Sequence, residues 1–122
     1  MLLLSQGKPA QAATFTGTVY TDEGTTNAGS GRTVRLIVNG VDAGSGVTDG
    51  SGAYSITASV NPGDPMLVYL DGAPIYGTTV TVSSGGNLSG LNIYAGHVIV
   101  RHDNGGSLTN ANMKAAKGGV SD

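Results

Sequence analysis

Val47-Thr48-Asp49-Gly50-Ser51-Gly52-Ala53-Tyr54-Ser55-Ile56 is the stretch on which the fold turns. Its first half reads as a turn and its second half as a strand. Asp49-Gly50 is a strong tight-turn pair, because glycine takes positive φ without steric cost and aspartate bonds its own downstream backbone. From Tyr54 the pattern alternates: Tyr54, Ile56 and Ala58 share one face, and Ser55, Thr57 and Ser59 share the other. That is the signature of a half-buried strand. Upstream, Thr33–Asn39 alternates in the same way, so the stretch joins two core strands of an all-β domain.

Working outward, Thr14–Thr21 is the first clear strand, with Phe15, Gly17 and Val19 on one face and threonines on the other. Asp22–Gly31 is a loop by composition. Asn39-Gly40 is a second tight-turn pair, and Val41–Thr48 is a glycine-diluted strand suited to a sheet edge. Asn61-Pro62-Gly63-Asp64-Pro65 is a compact turn. The continuous apolar run Met66–Leu70 predicts a strand buried on both faces. Ile75–Ser83 alternates again, Leu91 and Ile93 share a face, and His97–His102 closes the series. Seven or eight strands at about ten-residue spacing predict a β-sandwich over 14–102.

The flanks differ from this body. Residues 1–13 open with the apolar run Met1, Leu2, Leu3 and Leu4, followed by Ala10-Gln11-Ala12. One reading is the remnant of a secretory signal with maturation after Ala12; the other is an arm that packs on a neighbouring subunit. The run is too short for a membrane span. Residues 103–122 form a tail, and Leu108–Gly119 is the only segment with helical credentials: Thr109 or Asn110 to cap it, Ala and Lys to propagate it, Gly118 to end it. At that length a helix needs tertiary packing, and a strand or extended tail is the alternative.

Composition limits the function. A chain of 122 residues with 21 glycines is one domain built of short strands and turns. Only 11% of its residues are charged, against roughly 25% in ordinary domains. The net charge of −2 offers no attraction for nucleic acid. An uncharged surface fits a module that packs against copies of itself, or a soluble module with neutral polar faces. The absence of cysteine removes disulfides, thiol catalysis and cysteine zinc sites.

No catalytic constellation emerges. His97 and His102, five apart on one strand, point to opposite faces and do not share a metal. Gly44-Ser45-Gly46 and Gly50-Ser51-Gly52 are turn glycines without a base to activate the serine. The glycine-rich loops lack the lysine and helix of a phosphate cradle. Asp22, Glu23, Asp42, Asp49, Asp64, Asp71 and Asp103 read as turn formers; no spaced calcium-loop pattern occurs, and a Ca²⁺ site built from two or more loops is the alternative. Tyr54 and Tyr69 read as core, and a glycan platform requires two of Tyr20, Tyr54, Tyr69, Tyr76 and Tyr94 exposed on one face.

The turn signature Thr48, Asp49, Gly52 and Tyr54, with Gly17-Thr18-Val19-Tyr20, Asp22 and Val34-x-Leu36, resembles carboxypeptidase-regulatory-like and collagen-adhesin B-type domains. The likeness covers roughly Phe15 to Val100. It implies a transthyretin-like, immunoglobulin-like sandwich in extracellular proteins, often in tandem arrays or stalks. The opening Gly17–Thr26 and the segments Ile99–His102 and Ser107–Asn112 are similar to repeat units of large secreted bacterial surface proteins, which implies a structural role. Some related adhesin domains carry a Lys–Asn isopeptide bond. Lys8, Lys114 and Lys117 all lie outside the core strands, so none is expected here.

The expectation is therefore an extracellular structural subunit, not an enzyme. It would self-assemble into a filament, sheath or surface array by adding a terminal arm, Met1–Ala13 or Asn110–Asp122, to a neighbour's sheet. The alternative is a monomeric glycan- or calcium-binding accessory module of a secreted protein.

Overall fold

The structure, a computed structural model, describes residues 11–72, 75–104 and 109–117. Among these are strands β1 (Gln11–Tyr20), β2 (Thr33–Val38), β3 (Val41–Val47), β4 (Ala53–Val60), β5 (Pro65–Leu70), β6 (Thr78–Val82), β7 (Ile93–Tyr94) and β8 (Val98–Val100), and helix α1 (Asn110–Lys117). The strands form a β-sandwich: a three-stranded sheet ordered β4-β1-β7 packs on a five-stranded sheet ordered β3-β2-β5-β6-β8. The pairings are antiparallel except β1 with β7 and β6 with β8, which are parallel.

The alternating segments supply the interior. Ala13, Phe15 and Val19 of β1 and Tyr54, Ile56, Ala58 and Val60 of β4 meet Val34, Leu36 and Val38 of β2 and Met66, Val68 and Leu70 of β5. Leu88, Leu91 and Ile93 fill the same core. β5 is the middle strand of its sheet and is buried on both faces, as its apolar run predicts. The second cover is α1, whose fully buried Ala116 packs with Ile37, Leu67, Tyr69 and Val80 on the outer face of the larger sheet. Thr109 precedes the helix at its N-cap position, and within the tail Asn110–Lys117 is a helix docked on its own sheet.

The turns follow their sequence signals, with one correction. Asn39 and Gly40 take φ of 51° and 79°, the two positive values of a tight hairpin between β2 and β3. Pro62 and Gly63 form the centre of a turn in which the Asp64 N–H donates to the Asn61 carbonyl (3.1 Å) and Gly63 has φ of 90°. In the stretch after β3 the positive φ belongs to Gly52 (75°), not to Gly50. Asp49 causes the shift: its Oδ1 accepts the N–H groups of Ser51 (2.8 Å) and Ala53 (3.1 Å), and its carbonyl accepts that of Gly52 (2.9 Å). A Cβ on Gly52 would stand 2.8 Å from the Val19 carbonyl oxygen, so this turn is pressed against the end of β1.

Three other details depart from the pattern reading. β1 begins at Gln11 and pairs with β4 as far as Val60, three residues before the expected Thr14. β6 is Thr78–Val82, shorter than Ile75–Ser83, and its alternation is turned round: Thr79 and Thr81 sit level with the core residues Val68 and Met66, while Val80 lies under α1. Burial is tolerable because the Thr79 hydroxyl donates to the Asn92 carbonyl (2.5 Å) and that of Thr81 to Asp103 Oδ2 (2.5 Å). Finally, β8 spans only Val98–Val100, although Arg101 and Asp103 continue to donate their N–H groups to Val80 and Val82 (2.9 and 3.1 Å).

The second edge of β1 is held irregularly. The Thr16 N–H donates to the Leu88 carbonyl (2.9 Å) and the Leu91 N–H to the Thr16 carbonyl (2.9 Å). On either side of Thr16 the side chains of Asn87 and Asn92 accept the N–H groups of Thr14 (2.8 Å) and Thr18 (2.9 Å). Two asparagines thus complete the ladder where backbone does not reach, before regular pairing resumes at β7.

Candidate functional site

The turn signature proves to be a structural joint. Thr48 is buried; its hydroxyl donates to the Gly29 carbonyl (2.6 Å) and accepts the Arg32 N–H (3.0 Å), tying the loop before β2 to the end of β3. Gly52 accepts the Val19 N–H (2.8 Å). Tyr54 enters the core, and its hydroxyl donates to the Leu91 carbonyl. Burial pushes that hydroxyl well above the usual phenol range, so it remains a protonated donor. Tyr54→Phe is expected to leave the Leu91 carbonyl unpaired and to cost about 1–3 kcal/mol. Chemical denaturation measures this, and an unchanged midpoint would contradict it.

Each of the loop acids has a local partner. Asp22 Oδ1 accepts three N–H groups of its own loop, from Gly24 (3.0 Å), Thr25 (2.8 Å) and Thr26 (3.0 Å). Asp64 accepts from the Asn61 backbone (2.8 Å) and the Asn39 side chain (2.9 Å). Arg35 bridges Asp42 (2.8 Å) and Asp71 (2.9 Å). Arg101 grips Asp103 in a two-pronged pair (2.5 and 2.7 Å) and donates to the Gly90 carbonyl (2.8 Å). Glu23 lies 3.2 Å from His97 Nε2, whereas the Nδ1 of His102 is buried without a hydrogen-bond partner among the described residues. Among those residues no three His, Asp or Glu side chains come close enough to hold a metal ion.

These contacts give an acid dependence. The N–H groups of Thr26 and Thr25 hold the Asp22 carboxyl down at about 2. For Asp103 burial pushes upward, but the hydrogen bonds from Arg101 and Thr81 outweigh it and leave the carboxyl below its ordinary value. A depressed native value adds stability above the unfolded value near 4, which is lost as pH falls through the native one. The Asp22–Thr26 loop is therefore expected to keep its amide protection down to pH of about 4 and to lose it towards about 2. Amide exchange across an acid titration checks this; opening already at pH 5 would contradict it.

The tyrosines divide between the core and the surface. Tyr20 and Tyr94 stack on each other with centroids 5.3 Å apart, Tyr54 and Tyr69 are buried, and Tyr76 is exposed. Among the described residues the exposed large hydrophobics besides Tyr76 are Val41 and Val47 of β3 and Val98 and Val100 of β8. These are the two outermost strands of the five-stranded sheet, each paired on one side only among the described residues. The edge position of β3 was legible in its glycines; the exposed valines of β8 were not.

The expected arm residues Met1, Leu2, Leu3 and Leu4 lie outside the described residues. Among the described residues no helix is long and apolar enough to cross a membrane. In comparison with known proteins, no family model matches the chain and no curated protein matches it.

Proposed function

We propose that this chain is an extracellular structural subunit that assembles with copies of itself by β-strand addition, an open sheet edge of one copy being completed by a strand of the next. The observation that carries the reading is the pair of sheet edges on the larger sheet that have no partner strand among the described residues, each bearing solvent-exposed valines. Such edges expose unpaired N–H and C=O groups, and natural sheets blunt them with lysine or proline when pairing is unwanted. Neither β3 nor β8 contains either residue. The low charge of the surface removes repulsion between copies. The resemblance of the turn signature to domains of extracellular stalks and arrays supports the setting.

Two donors are available: the apolar run Met1–Leu4, and an edge strand of the neighbouring copy. The C-terminal segment is less suited, because Asn110–Lys117 is helical and docked on its own sheet. Light scattering and negative-stain microscopy of the purified chain test the reading. Regular, concentration-dependent polymers are expected, and a monomer at every concentration would overturn it.

A further inference from the structure

The two open edges of the larger sheet are complementary to each other. Resting on the self-assembly reading above, we infer that copies join head to tail, with β8 of one copy paired antiparallel to β3 of the next, giving a sheet that runs continuously through the polymer.

Strand direction is the first reason. β3 is antiparallel to β2, β2 to β5 and β5 to β6, while β6 is parallel to β8. β3 and β8 of one copy therefore run in opposite directions. Two copies in the same orientation, set side by side, bring β8 against β3 as an antiparallel pair without turning either copy over.

Backbone phase is the second. On β8 the groups turned to β6 are those of His97, Arg101 and Asp103: Thr78 donates to His97 (3.2 Å), and Arg101 and Asp103 donate to β6 carbonyls. By alternation, Val98 and Val100 turn their N–H and C=O groups outward. On β3 the Thr48 N–H donates to the Arg32 carbonyl (2.9 Å), so Thr48, Gly46 and Gly44 face β2, and Ser45 and Val47 face outward. The irregularity in the β2–β3 pairing lies between Leu36 and Ile37, leaving Gly44–Val47 regular.

Side chains agree with the backbone. Val98 and Val100 share the α1-bearing face of the sheet with Thr78 and Val80, and Val47 shares it with Thr33, the residue level with it on β2. In the unshifted row Val98 meets Ser45 of the next copy; a two-residue shift, which keeps every side chain on its face, sets it against Val47. Val47, Val98 and Val100 are 62%, 64% and 50% exposed, and one junction covers all three. The charges beside these strands are already paired, Asp42 with Arg35 and Asp103 with Arg101. Because the two edges are different surfaces, the contact does not close on itself as a two-fold dimer does, and it propagates.

The absence of cysteine makes the junction directly testable. Within one copy β3 and β8 are four strand spacings apart, about 19 Å, far beyond disulfide reach. Oxidised Val47→Cys/Val98→Cys and Ser45→Cys/Val98→Cys double variants of the full chain are compared on non-reducing gels, with light scattering of Val100→Lys and of a chain lacking Met1–Ala10, which leaves β1 whole. One double variant is expected to give a ladder of covalent multiples. Val100→Lys should raise the concentration needed for assembly about tenfold or more with its melting temperature unchanged, and the shortened chain should assemble as the parent does. If the parent polymerises while neither double variant ladders, or if only removal of Met1–Ala10 abolishes assembly, the β8–β3 junction is overturned and strand addition by the arm stands. If the parent is monomeric, the self-assembly reading itself falls.

Discussion

Replacement of Phe15 by alanine is expected to cost about 3–5 kcal/mol, enough to leave a domain of ordinary stability, about 5–15 kcal/mol, marginal or unfolded. Phe15 is the only phenylalanine in the chain and is fully buried. It lies on β1, level with Ile56 of β4 on one side and bridged to Leu88 on the other. Its ring therefore fills the space where the regular pairing of β1 gives way to the irregular one. Backbone bonds on both sides limit how far the walls can collapse into the cavity. Phe15→Leu, which keeps most of the volume, is expected to lose clearly less. Urea denaturation of both variants separates the cases, and equal midpoints would mean that this site does not organise the core.

The second large effect is expected at Gly17, two residues along the same face. A Cβ there would lie 2.2 Å from the Leu91 carbonyl oxygen, 2.5 Å from its carbon and 3.0 Å from the Tyr54 ring. Two of the three contacts are backbone, so no side-chain rotation relieves them. Gly17→Ala must push the Leu88–Leu91 segment off β1, at the expense of the Leu91 N–H bond to Thr16 and the Tyr54 hydroxyl bond to Leu91. A loss of about 3 kcal/mol or more follows from overpacking plus broken hydrogen bonds. Gly50→Ala is the matched control: nothing lies within 4 Å of its Cβ position, and its change should stay within about 0.5 kcal/mol. If the two alanine variants unfold at the same denaturant concentration, the close approach at Gly17 is not structural.

What the sequence revealed and what it hid divide along physical lines. Period-two alternation placed Tyr54, Ile56 and Ala58 on the core face, because one side of β4 is open to water and the pattern has a single solution. The hairpin at Asn39-Gly40 and the turn at Pro62-Gly63 were legible because their chemistry is local. In β6 the same alternation was visible but its sense was not: with a sheet on one side and α1 on the other, valine and threonine are both buried, and only the distant partners Asn92 and Asp103 decide which turns inward. The asparagines beside β1 escaped notice for a similar reason. Asn87 and Asn92 read as loop residues, and their roles depend on backbone groups 73 and 74 residues away in sequence. Gly52 rather than Gly50 carries the positive φ because the end of β1 presses on the turn, a tertiary fact.

The candidate site was less legible still. Valines at 47, 98 and 100 look like any strand residues until the sheet order puts β3 and β8 at its two ends. Together with Val41 at the start of β3, they are the exposed valines of the described strands, whose other large apolar side chains mostly pack against the opposite sheet or α1.

Amide hydrogen exchange, resolved to single residues and compared between dilute chain and assembled material, tests the central claim most directly. The account predicts that the N–H groups of Ser45, Val47, Val98 and Val100 exchange freely in the dilute chain and become protected on assembly, while the exposed Thr25 and Thr26 amides change little. Unchanged exchange at all four edge positions in polymer and monomer alike would contradict it.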